Sequence, residues 1–559
     1  MRFVSFDIFD TCIIRKCGDP QNLLDILSWS AFRESVDNNV RREFVMARRM
    51  ADIATYDNAF ARLEDIYAAM AYSHPLLKST DELVQIEKEL EREMLVPVSA
   101  MLNRISKLRQ QGNQILFISD MYLPGEYLSP ILKENGLMKS GDKLYVSCDV
   151  GKRKASGELY KYIHKKENIP YSSWTHYGDN EKSDYTVPKS LGIHAERIQC
   201  QYSPYQFQWF RYEYNPQNRV AETLSGVCRA LNIVLPNSPH KLFMVDLAAP
   251  LFTSFTYKVM LRAQTDGIKR LYFCARDAGT IYKIAEKLHP LFPECELHYL
   301  FISRDALYKG NAEARSLYFQ QCGLASKDER CAIVDLRTSG KTLCVLNNQL
   351  KNEGFLPVKG YFFEIFCTGT ISNIPDAYYA ELQSPYYTRM PSCRPMFNHH
   401  YLVEMYISVH NERRTIDYQL DNDNRAWPIY ADEETEFSED SAAMLNSAHR
   451  CKEHRNIMLA FTSYFVETKL YKHVNDVFAI AIRQWGQFSD VPNVKYLNAL
   501  EDFYSSKPNE TDRLPYVKKM NMIELLLTRG NQTLWKQASI LYSLPTLLRL
   551  LYVMKLKKH

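Results

Sequence analysis

Residues 1–16, MRFVSFDIFDTCIIRK, decide how the fold is read. Arg2 to Phe6 reads as a buried strand that runs straight into two carboxylates, Asp7 and Asp10, with Thr11 next. An acid that closes an apolar strand lies where the C-terminal edge of an open parallel sheet meets a crevice, which is where such sheets bind ligands. The opening therefore points to an α/β sheet with chemistry in its first loop.

Working outward, Arg15 to about Val98 is helical in pattern. RREFVMARRMADIA, NAFARLEDIYAAMAY and DELVQIEKELEREML place apolar residues three and four apart with charged faces between. This is the pattern of a helical insertion. Beyond it, the β-rich runs GNQILFISD, DKLYVSCD, SSWTHYGDN and GIHAERIQC alternate with helical stretches such as VSAMLNRISKLRQQG and SGELYKYIHKKEN. Alternation of that kind predicts a parallel sheet. A stretch rich in aromatic residues and proline, QYSPYQFQWFRYEYNPQN, marks a boundary. A second α/β series follows in KRLYFCARDAG, ELHYLFISRDAL, RCAIVDLRTSGKT and VKGYFFEIF, and from about Glu433 the pattern is mainly helical. The predicted divisions are 1–205, 225–430 and 431–559, with the insertion at about 15–98.

The 559 residues are 46% hydrophobic and 24% charged, an ordinary globular composition long enough for roughly three or four domains. Basic residues number 69 against 65 acidic, a net charge of +4, which disfavours nucleic acid as a partner. The 13 cysteines include no CxxC pair, and the chain opens on a strand rather than on a charged and apolar leader, so reduced thiols and a cytoplasmic location are expected. No apolar run reaches the ~18 residues of a membrane span. The last stretch, SILYSLPTLLRLLYVMKLKKH, is broken by Pro545 and Arg549 and ends in basic residues. It is expected to dock on the protein, with peripheral contact at the inner membrane as the alternative.

Four separated pieces of the first series line up: Asp7 in DIFDT, Ser119 closing ILFIS, Lys154 in KRKASGELY, and Asp179 with Asp184 in YGDNEKSDY. Phosphoryl transfer through a carboxylate needs such a set. A first acid attacks phosphorus, a hydroxyl and an ammonium hold the non-bridging oxygens, and later acids bind Mg2+ so that anion can approach anion. Each residue alone is more often a cap, a turn or a solvated helix start; the four in order are not. Their order and spacing resemble the haloacid dehalogenase-like (HAD) hydrolases, over roughly the first 205 residues, with the helical insertion matching the family's cap. The resemblance implies Asp7 as nucleophile, Ser119 and Lys154 as phosphate ligands, and Asp7, Asp179 and Asp184 as metal ligands. The family's phosphatases usually carry a second Asp two residues after the nucleophile. Here that position is Phe9, so the proton-transfer role is expected to pass to Asp10.

In the second series, CAIVDLRTSGKTL sets an acid on a strand, then a loop of hydroxyls and glycine, then a helix, which together offer N–H groups and hydroxyls to a phosphate. A nucleoside-triphosphate P-loop would need glycine where Asp335 stands. The stretch resembles instead the phosphoribosyl pyrophosphate (PRPP) loop of type I phosphoribosyltransferases. That resemblance assigns Asp335 to ribose, Thr338, Ser339, Gly340, Lys341 and Thr342 to the 5-phosphate, and Arg276 and Arg304 to the pyrophosphate. The adjacent Asp277 and Asp305 are extra carboxylates for the metal or for deprotonating the acceptor hydroxyl, with a local ion pair the equal alternative for Asp305. It departs from the family at Leu336, where a second acid is usual. HHYLVE places His400 and Glu404 at i, i+4, a pair that without further ligands is no metal site.

Together these resemblances imply two Rossmann-like parallel-sheet domains, the first HAD-like with a helical cap and the second phosphoribosyltransferase-like, followed by a C-terminal α-helical region. They imply a two-step ribofuranosyl transfer: 5-phosphoribosyl transfer from PRPP to a hydroxyl of a glycan acceptor, then Mg2+-dependent removal of the 5-phosphate. The combination is similar to two-step ribofuranosyltransferases of bacterial capsule and O-antigen assembly. Two rivals stand beside it: a stand-alone phosphatase whose second domain binds a regulator, and a scaffold with decayed motifs.

Overall fold

The computed structural model describes residues 2–198, 219–338, 340–365, 413–431 and 441–490, with a few positions between 519 and 544. It divides into two compact units, Met1–Pro236 with Tyr464–His473, and Asn237–Ser463 with Val474–His559. The aromatic stretch 201–218, the pair His400 and Glu404, and most of the basic tail lie outside the described residues.

In the first unit, strands β1 (Phe3–Phe6), β4 (Gln114–Ser119), β5 (Lys143–Val146), β6 (Trp174–Gly178) and β7 (His194–Arg197) form a sheet ordered β5-β4-β1-β6-β7. All neighbours are parallel, with Phe6 opposite both Phe117 and Tyr177. β4 is buried from Ile115 to Ser119, as expected of a strand covered on both faces. The chain winds from β1 through β4 to β5 on one side, then crosses to β6 and β7 on the other. The reversal falls beside β1, so Asp7 stands at the topological switch point.

The insertion predicted at 15–98 is closed at its base by an antiparallel pair, β2 (Ile13–Arg15) with β3 (Leu95–Pro97). Between them run four helices, Pro20–Ala31, Asn38–Thr55, Leu63–Ser73 and Thr80–Met94. Asp19 and Asp37 cap the first two, and Ser79 with Glu82 forms a capping box on the last. Buried arginine–glutamate pairs fix the interior: Arg15 Nε donates to Glu91 at 2.9 Å, and Arg48 Nη2 to Glu87 at 2.7 Å. Arg62 reaches Asp149 at 3.0 Å, and the Arg153 guanidinium lies 4.4 Å from the Tyr56 ring centre. The insertion is thus fastened to the loop that precedes Lys154.

The first unit is larger than the 1–205 expected from sequence, because it takes in the helix Val220–Val234. That helix is buried from Val220 through Leu231, and a helix covered all round belongs to a core. Gly226 permits the contact: a Cβ there would lie 2.3 Å from the carbonyl carbon of Cys17.

In the second unit, β8 (Arg270–Cys274), β9 (Glu296–Leu300), β10 (Cys331–Thr338) and β11 (Lys359–Ile365) form a parallel sheet ordered β11-β10-β8-β9. Its winding reverses between β8 and β10. Two features absent from the sequence reading precede and follow it. Buried helical chain from Lys241 to Thr265 leads into β8. An antiparallel hairpin, β12 (Thr415–Leu420) with β13 (Ala426–Tyr430), turns at Asp421–Arg425, where the Asp421 side chain accepts from Asp423 and Arg425 N–H and Asn424 has φ 58°. Within the region expected to be helical, Ser441–Glu467 and Val474–Asp490 are helices. No helix among the described residues is long and apolar enough to cross a membrane, and the described cysteines are free thiols.

Candidate active site

Asp7 leaves β1 with its N–H bonded to the Tyr177 carbonyl at 2.8 Å, which continues the ladder one residue past the strand and delivers the side chain to the crevice. Lys154 Nζ donates to Asp7 Oδ1 at 2.5 Å and to Asp184 Oδ1 at 2.7 Å. The lysine is 3% exposed and Asp184 1%. Carboxylate oxygens of Asp7, Asp179 and Asp184 lie within 4.8 Å of one another. Four of the residues predicted from sequence thus meet at one point. Ser119, also buried, closes β4 two residues beyond Phe117, the partner of Phe6.

The chain around β6 is shaped for this. Gly178 ends the strand, and a Cβ on it would stand 2.4 Å from that of Asp184, so only glycine lets the acid fold back beneath it. Asn180 then caps a wide helical turn, Glu181–Thr186, accepting from Lys182 and Ser183 N–H at 3.0 Å each. Its own N–H donates to Asp184 Oδ2 at 3.1 Å.

Several residues that sequence reading missed hold the site in place. Asp120 accepts from the N–H groups of Lys154, at 2.8 Å, and Ala155, at 3.3 Å, and so anchors the lysine loop. Beneath the acids, His176 Nε2 lies 3.2 Å from Asp184 Oδ1 and its Nδ1 2.7 Å from Ser5 Oγ, which accepts from Trp174 Nε1 at 2.7 Å. Indole can only donate, so the Ser5 hydroxyl proton is left to His176 Nδ1, and Nε2–H faces the carboxylate. Thr11 is buried, and its hydroxyl has no partner among the described residues.

Asp10 has φ 54°, in the left-handed region that costs most side chains energy but is tolerated by Asp. Its Oδ1 accepts from Arg229 Nη2 at 2.7 Å. The carboxylate also lies near enough to Asp179 to act on it electrostatically. Phe9 has the Arg15 guanidinium 4.5 Å from its ring centre.

The electrostatics follow from burial and crowding. Burial pushes Asp7 above the usual carboxylate range, with Asp184 and Asp179 adding to the effect and Lys154 opposing it. Burial also opposes charge on Asp184, yet Lys154 and His176 hold it below the usual range. Asp179 is pushed up to about 6 by burial and by Asp10 and Asp184. Three acids against one lysine leave an excess of buried negative charge, the condition a hard divalent cation relieves. Asp7, Asp179 and Asp184 are oxygen donors that fit Mg2+.

Proton and cation compete for Asp7 and Asp179. Mg2+ affinity, read by calorimetry on the full chain, should therefore fall as the pH drops through about 8, where Asp7 takes up a proton, and further through about 6, where Asp179 does. A profile flat from pH 5 to 8 would remove both from the ligand set.

The second sheet has its own crevice. β10 pairs with β8 only as far as Val334 opposite Phe273, then continues against β11 alone. Asp335 to Thr338 therefore border the loop that leaves β8 at Ala275. Burial raises the Cys274 thiol, and so do Asp335 and Asp277, which places both acids near it. Gly340, at φ 83°, donates its N–H to Thr338 Oγ1 at 3.0 Å and caps the helix Lys341–Asn352. Thr342 sits in its first turn, while Ser339 and the Lys341 side chain lie outside what is described. Arg276 follows β8, and Arg304 is exposed after β9 at the start of a short helix capped by Ser303. Asp305 is engaged by Arg414 and by Lys309, at 3.3 Å, a local ion-pair role.

No protein-family model matches the chain, and no curated protein does. Among solved structures, it is similar to a HAD-family enzyme of Bacteroides thetaiotaomicron in complex with magnesium and inorganic phosphate. The identity is 12%, 36% of this chain and 94% of that one are covered, and the TM-score is 0.28. A HAD phosphatase from Thermococcus onnurineus is 18% identical, covering 36% of this chain and 87% of its own, with a TM-score of 0.28.

Proposed function

We propose that the chain is a bifunctional ribofuranosyltransferase that transfers 5-phosphoribose from PRPP to a hydroxyl of a glycan, then removes the phosphate. The observation that carries the phosphatase step is the buried contact of Lys154 with both Asp7 and Asp184, with Asp179 alongside. The order of the motifs, which resembles that of HAD hydrolases, supports the same step.

In that step, Asp7 attacks phosphorus and the bond to the sugar oxygen breaks, leaving an aspartyl-phosphate. Asp10 gives a proton to the leaving oxygen and later takes one from the water that releases phosphate, with Arg229 holding it in place. Lys154 and Ser119 hold the non-bridging oxygens. Bound Mg2+ supplies charge neutralisation between the nucleophile and the phosphoryl group.

For the transfer step, Asp335 meets the ribose and the Thr338–Thr342 loop the 5-phosphate. Arg276 and Arg304 take the pyrophosphate that departs as the acceptor oxygen bonds to C1, and Asp277 receives the acceptor's proton. The support is the pair of crevice-facing loops after β8 and β10 and the helix start at Gly340. The acceptor is a lipid-linked glycan extended at the cytoplasmic face, where the basic tail can meet anionic lipid.

The test is mass spectrometry of candidate glycans incubated with enzyme, PRPP and Mg2+. The expected result is addition of one unphosphorylated pentose, with one pyrophosphate and one phosphate released per turnover. Phosphate release from small esters without PRPP consumption would leave a phosphatase alone, and neither activity would leave a scaffold.

A further inference from the structure

The second unit holds a cleft of about 440 Å³ that no sequence motif marked and the roles above do not use. One wall is aromatic. Tyr282 and Tyr299 stack at 5.5 Å and 29°, Phe301 meets Tyr299 edge-on at 5.4 Å, and Tyr430 meets Phe301 edge-on at 5.7 Å. These rings pack on one another, so they form a platform and not a slot between two separated faces. A platform suits the C–H face of a sugar ring.

Two guanidinium groups border the platform, Arg413 just ahead of β12, 5.5 Å from the Tyr430 ring centre, and Arg455 on the helix Ser441–Glu467. Lys283 on the helix Gly279–Leu288 also lines it but is paired with Glu286 at 2.8 Å. No acid lines the cleft among the described residues. A neutral sugar needs no such excess of positive charge, whereas a carboxylated one is matched by guanidinium groups, which bind carboxylates through two parallel N–H bonds. Gly279, two residues after Asp277, also lines the cleft, which puts a bound ligand beside the loop assigned to pyrophosphate.

We propose that this cleft is the acceptor subsite and that it takes an acidic glycosyl residue, a sugar bearing a carboxylate. The assignment deepens the transferase reading and rests on it for the word acceptor, but the binding itself needs no donor.

The experiment is calorimetry on the full chain, without PRPP, against three probes: a glucuronosyl-glucose disaccharide, its neutral counterpart cellobiose, and uridine monophosphate. The acidic disaccharide should bind at least about tenfold tighter than either of the others. Arg413→Gln and Arg455→Gln should each weaken it severalfold, and Tyr430→Leu should weaken both disaccharides. Equal affinity for the two disaccharides, tighter binding of the nucleotide, or binding unmoved by both arginine variants would overturn the assignment. If one arginine variant loses its thermal transition, the other decides. PRPP turnover is measured separately. Acidic-sugar binding with no turnover keeps the cleft and removes the transferase, and turnover without such binding does the reverse.

Discussion

Asp7→Asn should cut phosphate release by at least about a thousandfold while a pentose phosphate adduct of the glycan accumulates. The amide has the shape of the carboxylate but cannot attack phosphorus, so the aspartyl-phosphate never forms. Transfer should continue, because its residues belong to the other sheet. The fold should survive as well. Asp7 is buried beside two further acids, burial already works against its charge, and Lys154 keeps Asp184 as a partner when that charge is removed. Mass spectrometry of the glycan together with the thermal midpoint of the variant checks both halves. Bare pentose from a folded variant would refute Asp7 as nucleophile.

Lys154→Met should cost about 3–5 kcal/mol of stability in metal-free protein, because it strands two buried carboxylates without their cation. Methionine keeps the apolar stem, so the loss reports on charge and not on a cavity. Mg2+ should recover part of it, since the ion binds the same acids and only in the folded chain. Urea unfolding of both proteins, with and without Mg2+, measures the difference. A variant as stable as the parent in the absence of metal would mean that Lys154 does not balance these acids.

What the sequence disclosed here followed from locality. Asp7, Ser119 and Asp179 sit at or just past strand ends, and strand ends are visible as the close of an apolar run, so their arrival at one sheet edge could be anticipated. Lys154 was legible from its place in the motif order. His176, Ser5 and Trp174 were not, because their hydrogen bonds join β1 to β6 across some 170 positions of chain and each alone looks like ordinary strand filling. Asp120 was hidden beside the more conspicuous Ser119. The β12–β13 hairpin did carry a signal, two aromatic and β-branched runs about an Asp-Asn cluster, but it lies at the end of the second series, beyond the last strand the α/β alternation accounted for. The helix Val220–Val234 straddles the expected start of the second division at 225, and only its packing, with Gly226 against Cys17, groups it with the first unit.

The contact between Asp10 and Arg229 bears on how such a protein can be taken apart. A cut in the aromatic stretch at 201–218, the obvious seam along the chain, would carry off the arginine that grips Asp10 and the glycine-bearing helix wedged against Cys17 and Gly18. Any chimera that borrows this first unit must inherit residues through Pro236 if the acid is to keep its clamp.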